Sequence, residues 1–293
     1  MKQSTNVAII GAGRLGTALT LALSQQDYVV STIVSRTLKS AKRTARLLPH
    51  PAIALDVSQL SSLKLPDLLL ITTPDGQIEV VAQALDSLEL PQRKKPVALH
   101  TSGALSSSVL SNLAQRGWQV GSLHPLLSIS DLQGVVDFAG AYWCIEGQPL
   151  AQRRAKALVR SLNGKSFSIG LKYKALYHAS AVMASGSVIA LFDAAIKMLT
   201  ASGLPRREAK RVLMPLIEST VRSLENKETE PALTGPFARG DIETIKLHLE
   251  ALSEVNKKEI EDVYRVLGRR SLKLAQTRGL EPQTSKKIRR LLE

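Results

Sequence analysis

The N-terminal part of the chain alternates short apolar runs with helix-length segments that have one apolar face. Eight of these runs are rich in aliphatic or β-branched residues and predict strands, at residues 7–10, 28–34, 52–55, 68–72, 97–100, 119–122, 141–145 and 166–169. Several runs contain no polar residue, which is typical of strands that are covered on both faces. The alternation predicts an α/β fold in which residues 1–169 form a doubly wound, mostly parallel sheet.

Beyond Gly170 the strand pattern stops, and helical periodicity continues to about Gln276. Residues 170–293 are therefore predicted to form a second, all-helical domain. Its first helix is predicted to start near Lys172 and is apolar on nearly all sides over residues 175–192, although it contains hydroxyl and imidazole groups that hydrocarbon would penalise. We interpret it as a buried helix and not as a membrane span. Because a helix without a polar face must be covered, we expect homodimerisation through this domain.

A glycine-rich hexapeptide, GAGRLG, directly follows the first predicted strand and opens an amphipathic helix. Its first glycine permits a tight turn, its second lets the backbone approach a diphosphate, and its third lets the helix pack closely on the strand. Amides at the N-terminus of the helix attract negative charge. The pattern predicts a Rossmann dinucleotide-binding domain whose cofactor contacts include Gly11, Gly13, Arg14, Leu15 and Gly16. FAD-binding proteins use a similar pattern, so the glycines alone leave the dinucleotide open.

The residue that selects between nicotinamide cofactors is expected at the end of the second strand. The sequence there is Ser35-Arg36-Thr37, which offers no carboxylate for a ribose 2′-hydroxyl. Arg36 offers a planar guanidinium for a 2′-phosphate, and Ser35 and Thr37 offer hydroxyl donors. We therefore predict NADP as the cofactor.

Ligands of doubly wound sheets lie at the carboxyl ends of the strands. Polar residues follow three of the predicted strands, at 72–75, 100–103 and 122–125, and a lysine and a histidine share one face at the start of the helical domain. Hydride transfer to a carbonyl leaves an alkoxide, which needs a proton donor and positive potential nearby. The catalytic candidates are Lys174, His178 and His124. Further candidates for cofactor or substrate contacts are Thr73, Pro74, His100, Ser102, His124 and Ser185.

A second group of candidates lies in the loop LTGPFARGD, residues 233–241. Its glycines and proline mark a turn, and Asp241 is suited to cap the next helix. A guanidinium can hold a carboxylate through two hydrogen bonds, so Arg239 is a candidate anchor for an anionic substrate and Thr234 a candidate donor. The alternative is a structural turn whose arginine pairs locally.

The net charge of +14 raises the question of nucleic-acid binding. The excess is shared between the predicted domains, with 17 basic and 10 acidic residues up to Ile169 and 22 and 15 after it, and aromatic residues make up only 4%. This distribution disfavours a nucleic-acid site. Between Glu146 and Asp193 the chain has seven basic and no acidic residues, which favours an anionic substrate. The single cysteine, Cys144, and the absence of a signal-peptide pattern predict a cytoplasmic protein, and no residue spacing predicts a metal site.

The motifs GAGRLG, HTSGALSSSVL, GSLHPLLSI, KALYHASAV and LTGPFARGD together resemble a bacterial family with an N-terminal Rossmann-like NADP domain and a C-terminal helical domain of unknown function. More distantly, the layout is similar to the superfamily of pyrroline-5-carboxylate reductase, 6-phosphogluconate and β-hydroxyacid dehydrogenases and deazaflavin-dependent NADP reductases. Prephenate dehydrogenases carry a similar His-Pro pair, here His124-Pro125. The chain departs from the family at Gly186, where the family often has asparagine after the helix serine.

The resemblance implies an intertwined helical dimer, NADP, and a cleft for a small anionic substrate. Some family members resemble an alternative ketopantoate reductase, which implies reduction of a 2-oxo acid. The leading hypothesis is therefore an NADP-dependent oxidoreductase that acts on a small carboxylate, with Lys174 or His178 as proton donor and Arg239 as anchor. The alternative is a catalytically silent NADP-binding sensor, which would use the same glycines but none of these three side chains.

Overall fold

The computed structural model describes residues 4–88, 95–129, 136–255 and 257–293. The chain divides into two compact units. The first ends at Ser185 and the second begins at Gly186. The domain boundary predicted after Ile169 stays a prediction. It marks the change from strands to helices, but the helix Lys174–Ala184, which follows that change, belongs to the first compact unit.

Within the described residues of the first unit, eight strands form one sheet in the order β3-β2-β1-β4-β5-β6-β7-β8. All pairs are parallel except β6 with β7. Each strand overlaps one of the eight predicted runs, so the predicted α/β fold with a mostly parallel sheet is confirmed. The strands are β1 (Thr5–Ile10), β2 (Tyr28–Ser35), β3 (Ile53–Asp56), β4 (Leu68–Ile71), β5 (Val97–His100), β6 (Gln119–Pro125), β7 (Tyr142–Gly147) and β8 (Lys165–Phe167).

The sheet is covered on both faces, as the apolar strands require. Side chains alternate along β1, so that Val7 and Ile9 pack in the core of one face while Ala8 and Ile10 pack in the core of the other. The strand order reverses between β1 and β4, which is where doubly wound sheets bind their ligands. The helices of this unit are α1 (Arg14–Ser24), α2 (Leu38–Ala45), α3 (Asp75–Ala84), α4 (Ser111–Gln115), α5 (Pro149–Ser161) and α6 (Lys174–Ala184).

The second unit is helical throughout its described residues, as predicted. A small apolar core holds it together, formed by Ile245, Leu249, Leu272, Ile288 and Leu292. Its helices are α7 (Gly186–Ala201), α8 (Arg206–Asn226), α9 (Thr229–Ala232), α10 (Pro236–Arg239), α11 (Ile242–Glu254), α12 (Lys258–Thr277) and α13 (Pro282–Leu291). The last of these lies beyond the predicted end of the helical pattern. It begins after Gly279, whose φ is 90°, and Glu281 caps it by accepting hydrogen bonds from two backbone amides.

The apolar segment that the sequence predicts to be one buried helix is neither continuous nor buried in the single chain. Ser185, with φ −123° and ψ −79°, ends α6 and separates it from α7. In the described part of the chain, Leu171–Ala201 is one segment that is long and apolar enough to cross a membrane by length and composition. Only 6% of its most apolar window is buried, so the burial expected from its composition is wrong for the isolated chain.

Candidate active site

Two of the three glycines of GAGRLG, Gly11 and Gly16, are required by the backbone around them. Gly11 has a φ of 118°, and its amide donates to the Val34 carbonyl at 2.8 Å. A Cβ at Gly11 would lie 2.7 Å from the Thr72 carbonyl carbon, and a Cβ at Gly16 would overlap the Gly11 carbonyl oxygen. A side chain at either position would therefore distort the turn between β1 and α1.

Thr72, which follows β4, locks this turn. Its hydroxyl donates to the Gly11 carbonyl oxygen at 2.7 Å, and its amide donates to the Ile10 carbonyl at 2.8 Å. The sequence marks residues 72–75 as a polar strand end and predicts cofactor contacts for Thr73 and Pro74, but it does not predict this hydrogen bond of Thr72. The contact was not predictable because it depends on the pairing of β1 with β4.

The backbone at the N-terminus of α1 is suited to a diphosphate. A Cβ added to Gly13, the N-cap residue, would meet no atom within 4 Å. Among the described residues no side chain caps this helix, and its first turn contains no acidic residue. Its first amides and the positive end of its dipole can therefore serve an anion. The predicted contacts from Arg14, which is exposed, and Leu15, which is half-buried, are compatible with this geometry.

Thr73 and Pro74 lie beside the turn, at the start of α3. The Thr73 hydroxyl oxygen is buried and has no hydrogen-bond partner among the described residues. A buried hydroxyl without a partner costs free energy, so a ligand atom that supplied one would be stabilised there. Pro74 is exposed and forms the N-cap of α3 without a side-chain hydrogen bond.

The three residues predicted to select NADP have different surroundings. Ser35 ends β2 and is buried. Arg36 is exposed, and within the described ranges its guanidinium forms no ion pair and no side-chain hydrogen bond. Thr37 caps α2, because its hydroxyl oxygen accepts from the Ser40 amide at 3.3 Å. The selection of NADP by these residues stays a prediction.

The loop after β5 is built around Ser102. The Ser102 hydroxyl donates to the Asp75 carboxylate at 2.8 Å and accepts from the amides of Ala104 and Leu105 at 3.1 and 3.0 Å. The Ser102 amide donates to Nδ1 of His100 at 3.2 Å. Burial, more than any neighbouring charge, lowers the pKa of His100 to about 4, so this imidazole is neutral at pH 7.

Lys174, the first residue of α6, is 2% exposed. Its Nζ donates to the Ser122 hydroxyl oxygen at 2.8 Å and to the Ser102 carbonyl oxygen at 3.4 Å. No carboxylate in the described ranges lies within ion-pair distance of this amine. Burial lowers the pKa of Lys174, while the nearby charges of Glu146 and Asp75 act in the opposite direction. The lysine is thus an amine whose proton is easier to release than usual.

The antiparallel pair of β6 and β7 gathers several polar groups around this amine. Ser122 lies opposite Glu146, and His124 lies opposite Cys144. Because residues two apart on a strand share a face, these four side chains project from the same side of the sheet. The buried Glu146 carboxylate accepts hydrogen bonds from the Ser107 amide and hydroxyl, each at 2.7 Å.

His124 is held between two aromatic rings of α6. Its Nδ1 lies 2.7 Å from the Tyr177 hydroxyl, and its ring packs edge-to-face against Tyr177 and His178 at 5.7 and 5.6 Å. Burial, followed by the charges of His178 and Lys174, lowers the pKa of His124 to about 4. A Cβ at Gly103 would lie 2.5 Å from His178 Cδ2 and 2.8 Å from His124 Nε2, so the loop after β5 closely contacts both imidazoles.

Five of the predicted site residues come together in this structure: His100, Ser102, His124, Lys174 and His178. Ser185 is exposed at the end of α6. Thr234 and Arg239 are exposed in the second unit, and their roles stay predictions. Asp241 caps α11, as expected, by accepting from the Thr244 amide at 3.1 Å.

Several residues that complete this cluster have no individual role in the sequence predictions, although three of them lie in the polar strand-end segments 72–75, 100–103 and 122–125. Their signals were weak: a tyrosine on a largely apolar helix, a glycine that favours a turn, and polar residues in or after short strands. Only the pairing of strands and the approach of α6 show what they contact. These residues are Asp75, Gly103, Ser122, Glu146 and Tyr177.

Two family comparisons match separate parts of the chain. Residues 1–125 match the Rossmann-like domain, and residues 141–271 match a domain of unknown function, DUF2520. The N-terminal part of the chain is therefore similar to Rossmann-like domains, and the C-terminal part to DUF2520 domains. The second match begins just before β7 and includes Lys174, Tyr177 and His178. No curated protein matches the sequence.

Solved structures share the fold at low sequence identity. A provisionally assigned NADP oxidoreductase from Bacteroides fragilis is 24% identical with a TM-score of 0.74, covering 92% of this chain and 99% of that one. A protein from Thermotoga maritima is 22% identical with a TM-score of 0.72, covering 93% and 99%. A Plasmodium falciparum pyrroline carboxylate reductase solved with NADP bound is 12% identical with a TM-score of 0.56, covering 93% and 99%. The predicted similarity of layout to pyrroline-5-carboxylate reductases is confirmed for the fold alone.

The contact of Gly103 with both imidazoles predicts that Gly103→Ala disables the site and leaves the glycine turn between β1 and α1 intact. The added Cβ must displace His124 and His178. We expect altered ring chemical shifts for both histidines in NMR spectra and unchanged amide shifts in the glycine turn between β1 and α1. Gly76→Ala is the matched control, because a Cβ at Gly76 meets no atom within 4 Å. Unchanged histidine shifts in Gly103→Ala would contradict the geometry.

The neutral, buried His100 predicts a loss of stability in acid. The unfolded chain takes up a proton near pH 6.5, whereas the folded chain resists protonation until about pH 4, so the free energy of unfolding falls as pH drops through this window. His100 alone accounts for about 2 to 3 kcal/mol between pH 7 and pH 4.5. Urea unfolding of His100→Asn should show a smaller loss, whereas His50→Asn, at an exposed position, should match the wild type. Equal pH dependence of wild type and His100→Asn would refute this assignment.

Proposed function

We propose that the protein is an NADP-dependent oxidoreductase that transfers a hydride between nicotinamide and a small anionic carboxylate, with a 2-oxo acid such as ketopantoate as the leading substrate. The observation that carries the proposal is a buried amine at the start of α6, next to neutral imidazoles at the ends of β5 and β6, on the sheet edge that also carries an open glycine turn. A structural turn or a surface lysine would not need this arrangement. The fold shared with NADP-associated proteins supports the choice of cofactor.

NADPH, when bound, supplies the hydride. The backbone of the glycine turn and the first amides of α1 would hold its diphosphate. Arg36, with Ser35 and Thr37, would contact the 2′-phosphate. The proposed contacts on the remaining strand ends are Thr73, Pro74, His100 and Ser102.

The charge of the site favours a carbonyl over an imine. A pyrroline ring contains a C=N bond, which must be protonated to a cation before it accepts hydride readily. Two like charges about 4 Å apart repel by about 4 kcal/mol at the effective dielectric constant of a protein site. The Lys174 ammonium would therefore disfavour an iminium ion, whereas it would stabilise the alkoxide formed from a carbonyl.

The same site contains the proposed catalytic residues, Lys174, His178 and His124. The lowered pKa of Lys174 makes its ammonium a suitable acid, and its two hydrogen bonds hold Nζ in place. The proposed anchors of the substrate carboxylate are Arg239 and Thr234, with Ser185 as a further contact.

We also propose that the protein acts as a homodimer that binds neither nucleic acid nor membrane. The apolar segment of α6 and α7 exposes large side chains, with Leu176 69%, Met183 66% and Ile189 68% exposed. Apolar surface of this extent favours burial against a partner, and a second copy offers the same surface.

Loss of the Lys174 amine should abolish reduction without preventing cofactor binding. With NADPH and a panel of 2-oxo acids, Lys174→Met should lower kcat by about 100-fold or more, since a positioned acid contributes that much. The measurement is the decrease of NADPH absorbance, and Lys172→Met, on the preceding exposed turn, is the control. Wild-type protein that binds NADPH but reduces no member of the panel would favour the sensor function.

Arg36 should determine the preference for NADPH. Arg36→Asp should weaken NADPH binding by about 100-fold, because it removes a charge-assisted contact and adds repulsion, and should change NADH binding little. Fluorescence titrations with both cofactors make the comparison. Equal losses for the two cofactors would show that Arg36 does not contact the 2′-phosphate.

The dimer should depend on the exposed apolar segment. Light scattering at micromolar concentration should give twice the 31.8 kDa mass of the chain. Ile189→Glu should shift the mass toward that of the monomer, whereas Leu247→Glu, at an exposed leucine of α11, should not. A monomeric wild type would contradict the proposal.

A further inference from the structure

The contact between His124 and Tyr177 offers more than packing, because it can determine which nitrogen of the imidazole carries the proton. The Tyr177 hydroxyl lies 2.7 Å from Nδ1 of His124. The edge-to-face contacts with Tyr177 and His178 hold the ring from two sides. The orientation of the ring is thus restricted, and the direction of this hydrogen bond decides the tautomer.

The surroundings of the pair favour Tyr177 as the donor. Burial and the neighbouring Cys144 raise the pKa of the Tyr177 hydroxyl, so it keeps its proton. The imidazole is neutral at pH 7 because the pKa of His124 is about 4, and it therefore has one unprotonated nitrogen. An imidazole nitrogen accepts a hydrogen bond better than a thiol sulfur, so Nδ1 is the better acceptor for the hydroxyl proton. The proton of the ring is then on Nε2.

Nε2 of His124 lies beside the loop after β5. The Cβ position of Gly103 is 2.8 Å from this nitrogen. The carbonyl oxygen of the preceding residue, Ser102, accepts a hydrogen bond from Lys174. An N–H at Nε2 of His124 and the ammonium of Lys174 therefore lie against the same loop. A substrate oxygen bound there could accept hydrogen bonds from both.

We propose that Tyr177 is a positioning residue, which directs Nε2–H of His124 toward the substrate oxygen as a neutral hydrogen-bond donor. Such a donor stabilises negative charge on oxygen without losing its proton, which leaves proton donation to Lys174. The identity of the oxygen rests on the proposed function. The position of the proton on the ring is a property of the protein alone.

NMR spectroscopy of full-length protein with 15N-labelled histidine tests the position of the proton. Long-range proton–nitrogen spectra at pH 7.5 distinguish protonated from unprotonated ring nitrogens, and His124→Gln identifies the His124 signals. We expect protonated Nε2 in the wild type and a mixture of tautomers in Tyr177→Phe. A wild-type ring with its proton on Nδ1, or an unchanged tautomer in Tyr177→Phe, would overturn the proposal.

The second unit provides a matched control. There, Nδ1 of His248 lies 2.7 Å from the Tyr264 hydroxyl, with the rings edge-to-face at 5.8 Å. Tyr264→Phe removes the same kind of hydrogen bond outside the site and should leave the His124 signals unchanged. A change in those signals would mean that the tautomer does not depend on Tyr177 alone, which would also overturn the proposal.

A kinetic comparison separates the proposal from the proposed function. With a 2-oxo acid that the wild type reduces, Tyr177→Phe should lower kcat about tenfold without changing the Kd of NADPH, and Tyr264→Phe should have no effect. Unchanged kcat together with a changed tautomer would remove His124 from the reaction and overturn the proposal. If no 2-oxo acid is reduced, the proposed function fails while the NMR result still decides the role of Tyr177.

Discussion

The chemistry of the first unit depends on one costly feature, a lysine amine buried without an ion-pair partner within the described structure. Taking a charge out of water costs several kcal/mol unless other groups compensate. The Ser122 hydroxyl and the Ser102 carbonyl accept two of its hydrogen bonds, and Glu146 supplies negative potential. The amine in turn helps to keep His100 and His124 neutral. One buried cation thus influences the protonation of its neighbours.

The fold explains how these groups meet. The parallel strands β4 and β5 end at one edge of the sheet and carry Thr72 and His100 there. The reversed direction of β7 then places its polar side chains beside those of β6. Helix α6 completes the cluster, because Lys174, Tyr177 and His178 are spaced to lie on one face. The glycine turn after β1 would hold the diphosphate of a dinucleotide, and the reactive ring would extend from there toward the cluster.

The sequence predicts the sheet well and the site only in part. Apolar runs such as that of β4 identify strands because burial on both faces leaves no room for polar residues. GAGRLG predicts the turn between β1 and α1, because three glycines at this spacing between a strand and a helix are typical of a diphosphate-binding turn. Tyr177 and Gly103 could not be predicted, since their importance comes from contacts between elements distant in sequence. The burial of the long apolar segment Leu171–Ala201 was not predicted correctly for the single chain, where the segment is exposed. Its composition favours coverage by another surface but does not identify that surface.

The most direct test is a crystal structure of the protein with NADP⁺ bound. We expect the diphosphate on the amides that follow Gly13, the 2′-phosphate against Arg36, and the nicotinamide ring beside Gly103 within reach of Lys174 and His124. A dinucleotide bound elsewhere, or a nicotinamide ring that contacts none of these last three residues, would contradict the proposed function.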